Sequence, residues 1–316
     1  MDTIFSPPKT RRPALPALSV VAGAVCLSGS ATFVKLADVS AGTAAFLRCA
    51  IALVVLIPLA YAELRREGPL GGPLLGCAAA AGVFLGIDYV LWTASILDVG
   101  AAIATVLITV QVIAFPLLGK VFGGTPIAGR FLAAAPLMIA GIALASGALG
   151  HSAQVTNPVR GSIMGIAAGV AYSGFLYLNR VSGRRSPRHL VTPIAVASAA
   201  AAATAGVIGV STGGISLSLD AASWGWMIAL ALLGQVAAWL FVSTGTARLL
   251  PNTAAALLTL QPVLAIGFGL VVLGETPTAA QLAGCVVVIL AVWYANRTPR
   301  ARAVDRKPEP QLSGHC

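Results

Sequence analysis

The chain has 316 residues, of which 58% are hydrophobic and only 9% charged, and its mean hydropathy is +0.90. A soluble domain carries roughly a quarter of its residues as charges, so this composition leaves too little polar surface to face water and predicts an integral membrane protein. The net charge of +10 does not mark a nucleic-acid binder, because the 20 Lys and Arg residues fall mostly in short segments between apolar runs or in the tails, where a membrane topology signal places them.

Residues 1–14 are basic and Pro-rich and read as a cytoplasmic tail. A cleavable secretory signal is the competing reading, with Ala22-Gly23-Ala24 imitating a cleavage site, but the apolar run continues to Lys35 and favours an uncleaved first span. Runs of about 20 residues, the length needed to cross ~30 Å of hydrocarbon, fall at 15–36, 41–61, 73–97, 99–122, 127–148, 160–180, 190–211, 222–247, 252–273 and 278–296. The expectation is therefore an all-α membrane protein with ten transmembrane helices. The tail 297–316 is basic and then Pro-rich, as a segment attracted to anionic lipid would be.

Positive charge sets the orientation. With the amino terminus inside, seventeen of the 20 Lys and Arg residues fall on the inner segments, among them Arg11, Arg65, Lys120, Arg185 and Arg297. Only Arg160 lies in an outer loop, and Lys35 and Arg48 lie within spans. Such asymmetry fits an even number of spans with both termini in the cytoplasm.

The two halves also repeat one another. At an offset of 150, Leu107, Thr109 and Gln111 fall on Leu257, Thr259 and Gln261; a one-residue slip then puts Gly123 on Gly274 and Thr125-Pro126 on Thr276-Pro277. Ser28-Gly29 falls on Ser173-Gly174 at an offset of 145, which sets Lys35 against Arg180. An ordered series of this kind indicates duplication. A five-span unit written twice in one chain inserts its copies in opposite directions, giving two inverted repeats, 15–149 and 150–296. Gly161, Gly165 and Gly169, and likewise Gly82 and Gly86, form small-residue ridges suited to close helix packing in lipid.

Polar residues inside the spans mark candidate chemistry. Asp88 lies about ten residues from the outer end of the third span, roughly 15 Å deep, where a carboxylate is costly unless paired, protonated or wetted. Arg48, in the second span, is its expected partner, with Lys35 a further candidate. Asp88 is then either a coupling or substrate-amine site or a fixed ion-pair member. Trp92 and Ser95 follow it at i+4 and i+7 on one helical face, and Gln235 and Trp239 make a similar stripe in the eighth span, with Trp239 aligned on Tyr89. Together with Gln111, Tyr172, Asn179 and Gln261 they outline a cavity for a small polar or zwitterionic solute, since polar groups in hydrocarbon must face protein or water. Glu275 reads as the N-terminal cap of the tenth span. The five cysteines and three histidines have no metal-ligand spacing, and no phosphate-cradling loop is present, so neither a metal nor another cofactor is expected.

The segments SGSATFVKLA and SAGTAAFLRCAIALVVLIPLA, followed by TAAALLTLQPVLAIGFGLVVLGETPTAAQLAG, resemble the drug/metabolite transporter superfamily, specifically two tandem EamA-type repeats. The resemblance implies a central cavity lined by spans 1, 3, 4, 6, 8 and 9, opened alternately to each side of a bacterial inner membrane. It also implies a secondary transporter that exports amino acids, related metabolites or drugs, with proton coupling through Asp88 as one form of drive. Two departures stand out: Gln111 is followed by Val112 where Gln261 is followed by Pro262, and Leu273-Gly274-Glu275 faces Phe122-Gly123-Gly124. The competing classes are a membrane-embedded lipid-modifying enzyme, for which the outer loops carry too few acids and histidines, and an uncoupled channel.

Overall fold

The structure is a computed structural model describing residues 14–124, 129–145, 156–246, 249, 257–258 and 260–296. The two tails, Thr125-Pro126, His151, Arg248, Thr259 and the segments 146–155 and 250–256 lie outside the described residues. Every regular element among the described residues is helical. In chain order these are α1 (Ala14–Ala37), α2 (Ala41–Glu67), α3 (Gly72–Val99), α4 (Ala101–Leu107), α5 (Gln111–Gly123), α6 (Gly129–Ala145), α7 (Pro158–Arg185), α8 (Val191–Thr212), α9 (Ala221–Ala229), α10 (Ala238–Thr246), α11 (Leu260–Val272) and α12 (Ala279–Asn296).

Seven helical segments are long and apolar enough to cross a membrane: α1, α2, α3, α4 continued by α5, α7, α8, and α9 continued by α10. Three further apolar helices, Phe131–Ala145, Leu260–Val272 and Ala279–Ala295, are shorter. They stand where the fifth, ninth and tenth spans were expected.

Two of the long segments are not the regular helices that the sequence pattern predicts. A 3-10 turn, Ile108–Val110, joins α4 to α5, and a π-helical stretch, Leu230–Ala237, joins α9 to α10. Such breaks change which backbone carbonyls are left to accept from side chains, and both occur level with the central polar residues described below.

Helix starts follow local chemistry. Ser40 Oγ accepts from Thr43 N at 3.2 Å to begin α2, Asn157 Oδ1 from Arg160 N at 3.1 Å to begin α7, and Asp220 Oδ1 from Ser223 N at 3.1 Å to begin α9. No local side chain caps α8. Glu63 of α2 does so instead, its carboxylate accepting from the amides of Leu190 (2.7 Å), Val191 (2.9 Å) and Thr192 (2.7 Å) and from the Thr192 hydroxyl.

The turns refine the internal alignment. Gly124 (φ +62) and Gly274 (φ +61) both adopt the left-handed conformation just after their helices. Gly274 therefore corresponds to Gly124 at the same offset of 150 that relates Gln111 to Gln261, not to Gly123. Glu275 is then an extra residue before Thr276-Pro277, which explains why the first half has no counterpart to it.

The halves interlock. α3 of the first half packs chiefly against α7 and α8 of the second, α1 against α10 and α11, α2 against α8, and α6 against α12. Exchanging the halves maps these contacts onto one another: α3 with α7 corresponds to α1 with α9 and α10, and α1 with α11 corresponds to α7 with α5. Glycine permits the closest approaches. A Cβ on Gly86 would stand 2.8 Å from the Ala201 carbonyl, and one on Gly165 would stand 2.8 Å from Ser95 Oγ. In lipid, where no hydrophobic force drives helices together, these approaches supply the packing energy.

Candidate functional site

Where α1, α3, the α4–α5 break, α7, α10 and α11 meet, the chain forms a partly open central cavity. Asp88, Tyr89, Trp92, Gln111, Tyr172, Trp239 and Gln261 line it with Arg48 of α2, and so do Ser28, Ser30 and Thr105. Its free volume is about 70 Å³, room for about two waters.

Gln235 is not part of this lining. Wholly buried in the π-helical stretch, it is the hub behind the wall. Its Oε1 accepts from Tyr89 OH at 2.5 Å and from Arg48 Nε at 3.2 Å, while its Nε2 donates to Ser198 Oγ at 3.1 Å. Arg48 Nη2 donates to the carbonyl of Gly234 at 2.8 Å. The guanidinium also lies over the Tyr89 ring, 3.9 Å from its centroid, an arrangement worth ~2 kcal/mol when desolvated.

This corrects the expected pairing of Arg48 with Asp88. Arg48 and Asp88 form no ion pair, whereas Arg160 pairs with Asp98 at 3.5 Å, with Arg160 largely exposed; such a rim pair contributes at most ~1 kcal/mol. Arg48 is instead held by the Gly234 carbonyl and the Gln235 amide. Asp88 is 2% exposed, and its Oδ1 has no hydrogen-bond partner among the described residues. The same holds for Trp92 Nε1, Trp239 Nε1 and Gln111 Oε1. The wall thus carries acceptors from Asp88 and Gln111, a donor from the Trp92 indole, and the aromatic faces of Tyr172 and Trp239, whose ring centroids are 6.4 Å apart, with the Trp239 indole close enough to the Tyr89 hydroxyl to interact with it. That set can take a small ligand bearing both an amine and an oxygen acceptor.

The repeat is visible in hydrogen bonds. Ser28 Oγ is shared between the carbonyls of Ala24 (2.7 Å) and Gln261 (3.0 Å). Its counterpart Ser173 is shared between Gly169 (2.8 Å) and, in a longer contact, Gln111 (3.5 Å). Serine and glutamine positions matched by the sequence thus make matched bonds across the halves. The cavity role of Ser30 and Thr105 was missed, since hydroxyls in helices ordinarily bond to their own preceding turn.

Three other expectations need correction or placement. Lys35 is not at the central cavity but lines a separate vestibule beyond it, seven residues further along α1. Asn179 is half-buried and outside the central lining. Glu275 caps a different helix from the one expected: its Oε1 accepts from Ala101 N at 2.6 Å and its Oε2 from Ala102 N at 3.1 Å, at the start of α4. The tenth span is capped reciprocally by Thr278, whose Oγ1 accepts from Gln281 N (3.2 Å), and by Gln281, whose Oε1 accepts from Thr278 N (2.8 Å). Gly100 (φ +92) turns the chain so sharply that α3 and α4 abut and the α4 amides face that carboxylate.

Two faces of the fourth span differ accordingly. Nearly all of α4 is buried, whereas no residue of α5 is. Glu275 thus caps the more deeply packed half of this span. Among the described residues no group of His, Cys, Asp and Glu is placed to hold a metal.

The sequence model of the EamA-like transporter family matches residues 14–147 and again 159–297. No curated protein matches significantly. Among solved structures, 23 chains match. One, a crystal structure whose title says only that it is of a protein, aligns with a TM-score of 0.58 at 18% identity, covering 89% of this chain and 96% of that chain, a likeness of fold alone.

Proposed function

From its membership of the EamA-like transporter family, to which the chain belongs as two tandem repeats of the drug/metabolite transporter superfamily, we propose that it is a secondary transporter of amino acids or closely related metabolites. It exports them from the cytoplasm across a bacterial inner membrane by alternating access. The three shorter apolar helices complete ten spans, with the repeats 15–149 and 150–296 inverted relative to one another and both tails cytoplasmic. Asp88 is the coupling group: it binds a proton or the substrate amine, and the two exchange during the cycle.

The observation that carries this reading is the buried, unpartnered Oδ1 of Asp88 in a cavity that neighbours Arg48 without an ion pair to it. A carboxylate placed there only to hold helices would take the cation within reach of its own cavity. Here the cation has other partners, which leaves the acid for an exchangeable one. The Trp92 indole and the guanidinium face a ligand carboxylate, while Asp88, Gln111 and the aromatic faces suit an ammonium group.

The test is amino-acid flux into proteoliposomes under an imposed pH gradient, comparing the parent with Asp88→Asn. The parent shows saturable flux that responds to the gradient. The variant loses that response and most of its rate. Gradient-driven flux and proton movement equal to the parent's in Asp88→Asn would remove the aspartate from the mechanism.

A further inference from the structure

Beyond the central cavity, at the end where Glu275 caps α4, lies a vestibule of about 360 Å³ lined by Lys35, Gly100, Ile103, Glu275, Thr276 and Gln281 among others. We propose that this vestibule is a second binding site, one that takes a carboxylate through Lys35 and Gln281.

Charge and hydrogen-bond capacity define the ligand. Lys35 is half-buried on the last turn of α1, and no carboxylate lies within ion-pair distance of it among the described residues. The nearby Glu275 carboxylate is already bonded to the amides of Ala101 and Ala102, and the start of α4 offsets its charge. Gln281 is 1% exposed; its Oε1 is engaged by Thr278 N, while its Nε2 has no partner among the described residues. The open capacity is thus one ammonium and one amide N–H₂, both donors. A buried donor left unmatched is costly, and a carboxylate matches both.

Position gives the site a role, which rests on the transport reading above. Ser28 and Lys35 are seven residues apart on one face of α1, about 10 Å along the axis. Ser28 lines the central cavity and Lys35 the vestibule. On the fourth span Ala102 and Ile103 line the vestibule, while Thr105 and Ile108 line the cavity. Along both helices the residues between these two sets are buried and apolar: Ala31 and Val34 on α1, and Ala104 on α4. A carboxylate solute released past these residues meets Lys35 first.

The purified full-length protein in detergent is titrated with fluorobenzoate, read by fluorine NMR, with neutral fluorobenzamide as the control of matched shape. The parent binds fluorobenzoate saturably and the amide at least tenfold more weakly. Lys35→Gln and Gln281→Leu each weaken fluorobenzoate about tenfold, the loss of one charged or buried hydrogen bond. Lys35→Arg, which keeps the charge, stays within about threefold, so a fold lost in Lys35→Gln is not mistaken for a site lost.

Equal binding of benzoate and benzamide, parent-like binding by Lys35→Gln, no saturable binding at all, or a loss produced by Trp92→Ala with Lys35→Gln unaffected would each overturn the site. Binding and flux are read separately. Intact flux with no vestibule binding rejects this proposal alone, and intact binding with no flux rejects the transport reading alone.

Discussion

Replacing Glu275 with Gln tests whether this carboxylate holds its end of the cavity shut. The carboxylate accepts amide hydrogens from Ala101 at 2.6 Å and Ala102 at 3.1 Å. Gln keeps one carbonyl acceptor, so one of these bonds and the charge at the helix start are lost. A hydrogen bond to a charged group contributes about 1.5–3 kcal/mol, and the favourable placement of a negative charge at a helix N-terminus adds about 0.3–1 kcal/mol. Because part of this is recovered by solvation in the open form, a net destabilisation of the closed end of ~2 kcal/mol is expected, about thirtyfold in population. The reporter is a thiol introduced by Ile103→Cys, at a position 4% exposed that lines the vestibule. Its alkylation rate by an impermeant reagent should rise about thirtyfold when Glu275→Gln is added. An unchanged rate with an unchanged Tm would show that the carboxylate does not hold this end shut.

The other predictions concern the scaffold. Gln235→Leu leaves Tyr89 OH and Arg48 Nε without their buried acceptor and should cost about 3 kcal/mol or more; Tyr89→Phe removes one donor and should cost about 1 kcal/mol, so the Tm in detergent should fall further for the first. Gly86→Val places a side chain against the Ala201 carbonyl and should lower stability by about 1–3 kcal/mol, visible as loss of the monodisperse peak on heating. Outside the spans, the Ser223 hydroxyl and amide hold the Asp220 carboxyl below its usual range. Its cap therefore stabilises the fold above the unfolded-state value and is lost as pH falls through the lower folded value. Asp220→Asn, an equally good cap, should match the parent's Tm at pH 7 and lose less of it on acidification, and a steeper acid loss would contradict that assignment.

The membrane class, the duplicated halves and most of the cavity lining were legible in the sequence because they rest on composition, periodicity and polar residues in apolar runs. Asp88, Gln111 and Gln261 announced themselves as polar groups with no water to meet. The pairings were not legible. Which acceptors Arg48 takes depends on the π-helical stretch around Gly234, and a run of LALLGQVA carries no local signal for a π rather than an α turn. Glu275 was read correctly as a cap and assigned to the wrong helix, because a sequence shows the helix that follows a carboxylate, not the one folded against it. Glu63, capping α8 from more than a hundred residues away, was invisible for the same reason. The alignment slip at Gly123 shows the limit of matching identities, since the shared left-handed φ lies at Gly124 and Gly274.

The most direct test of the account uses Thr105→Cys, whose side chain lines the central cavity, alkylated from each side of oriented sealed vesicles. Alternating access predicts labelling from both sides, with Glu275→Gln raising the rate from the side nearer Glu275 while lowering the rate from the other. A rise in both rates together would mean a continuous pore, and labelling from neither side would mean that no solute pathway passes between the halves.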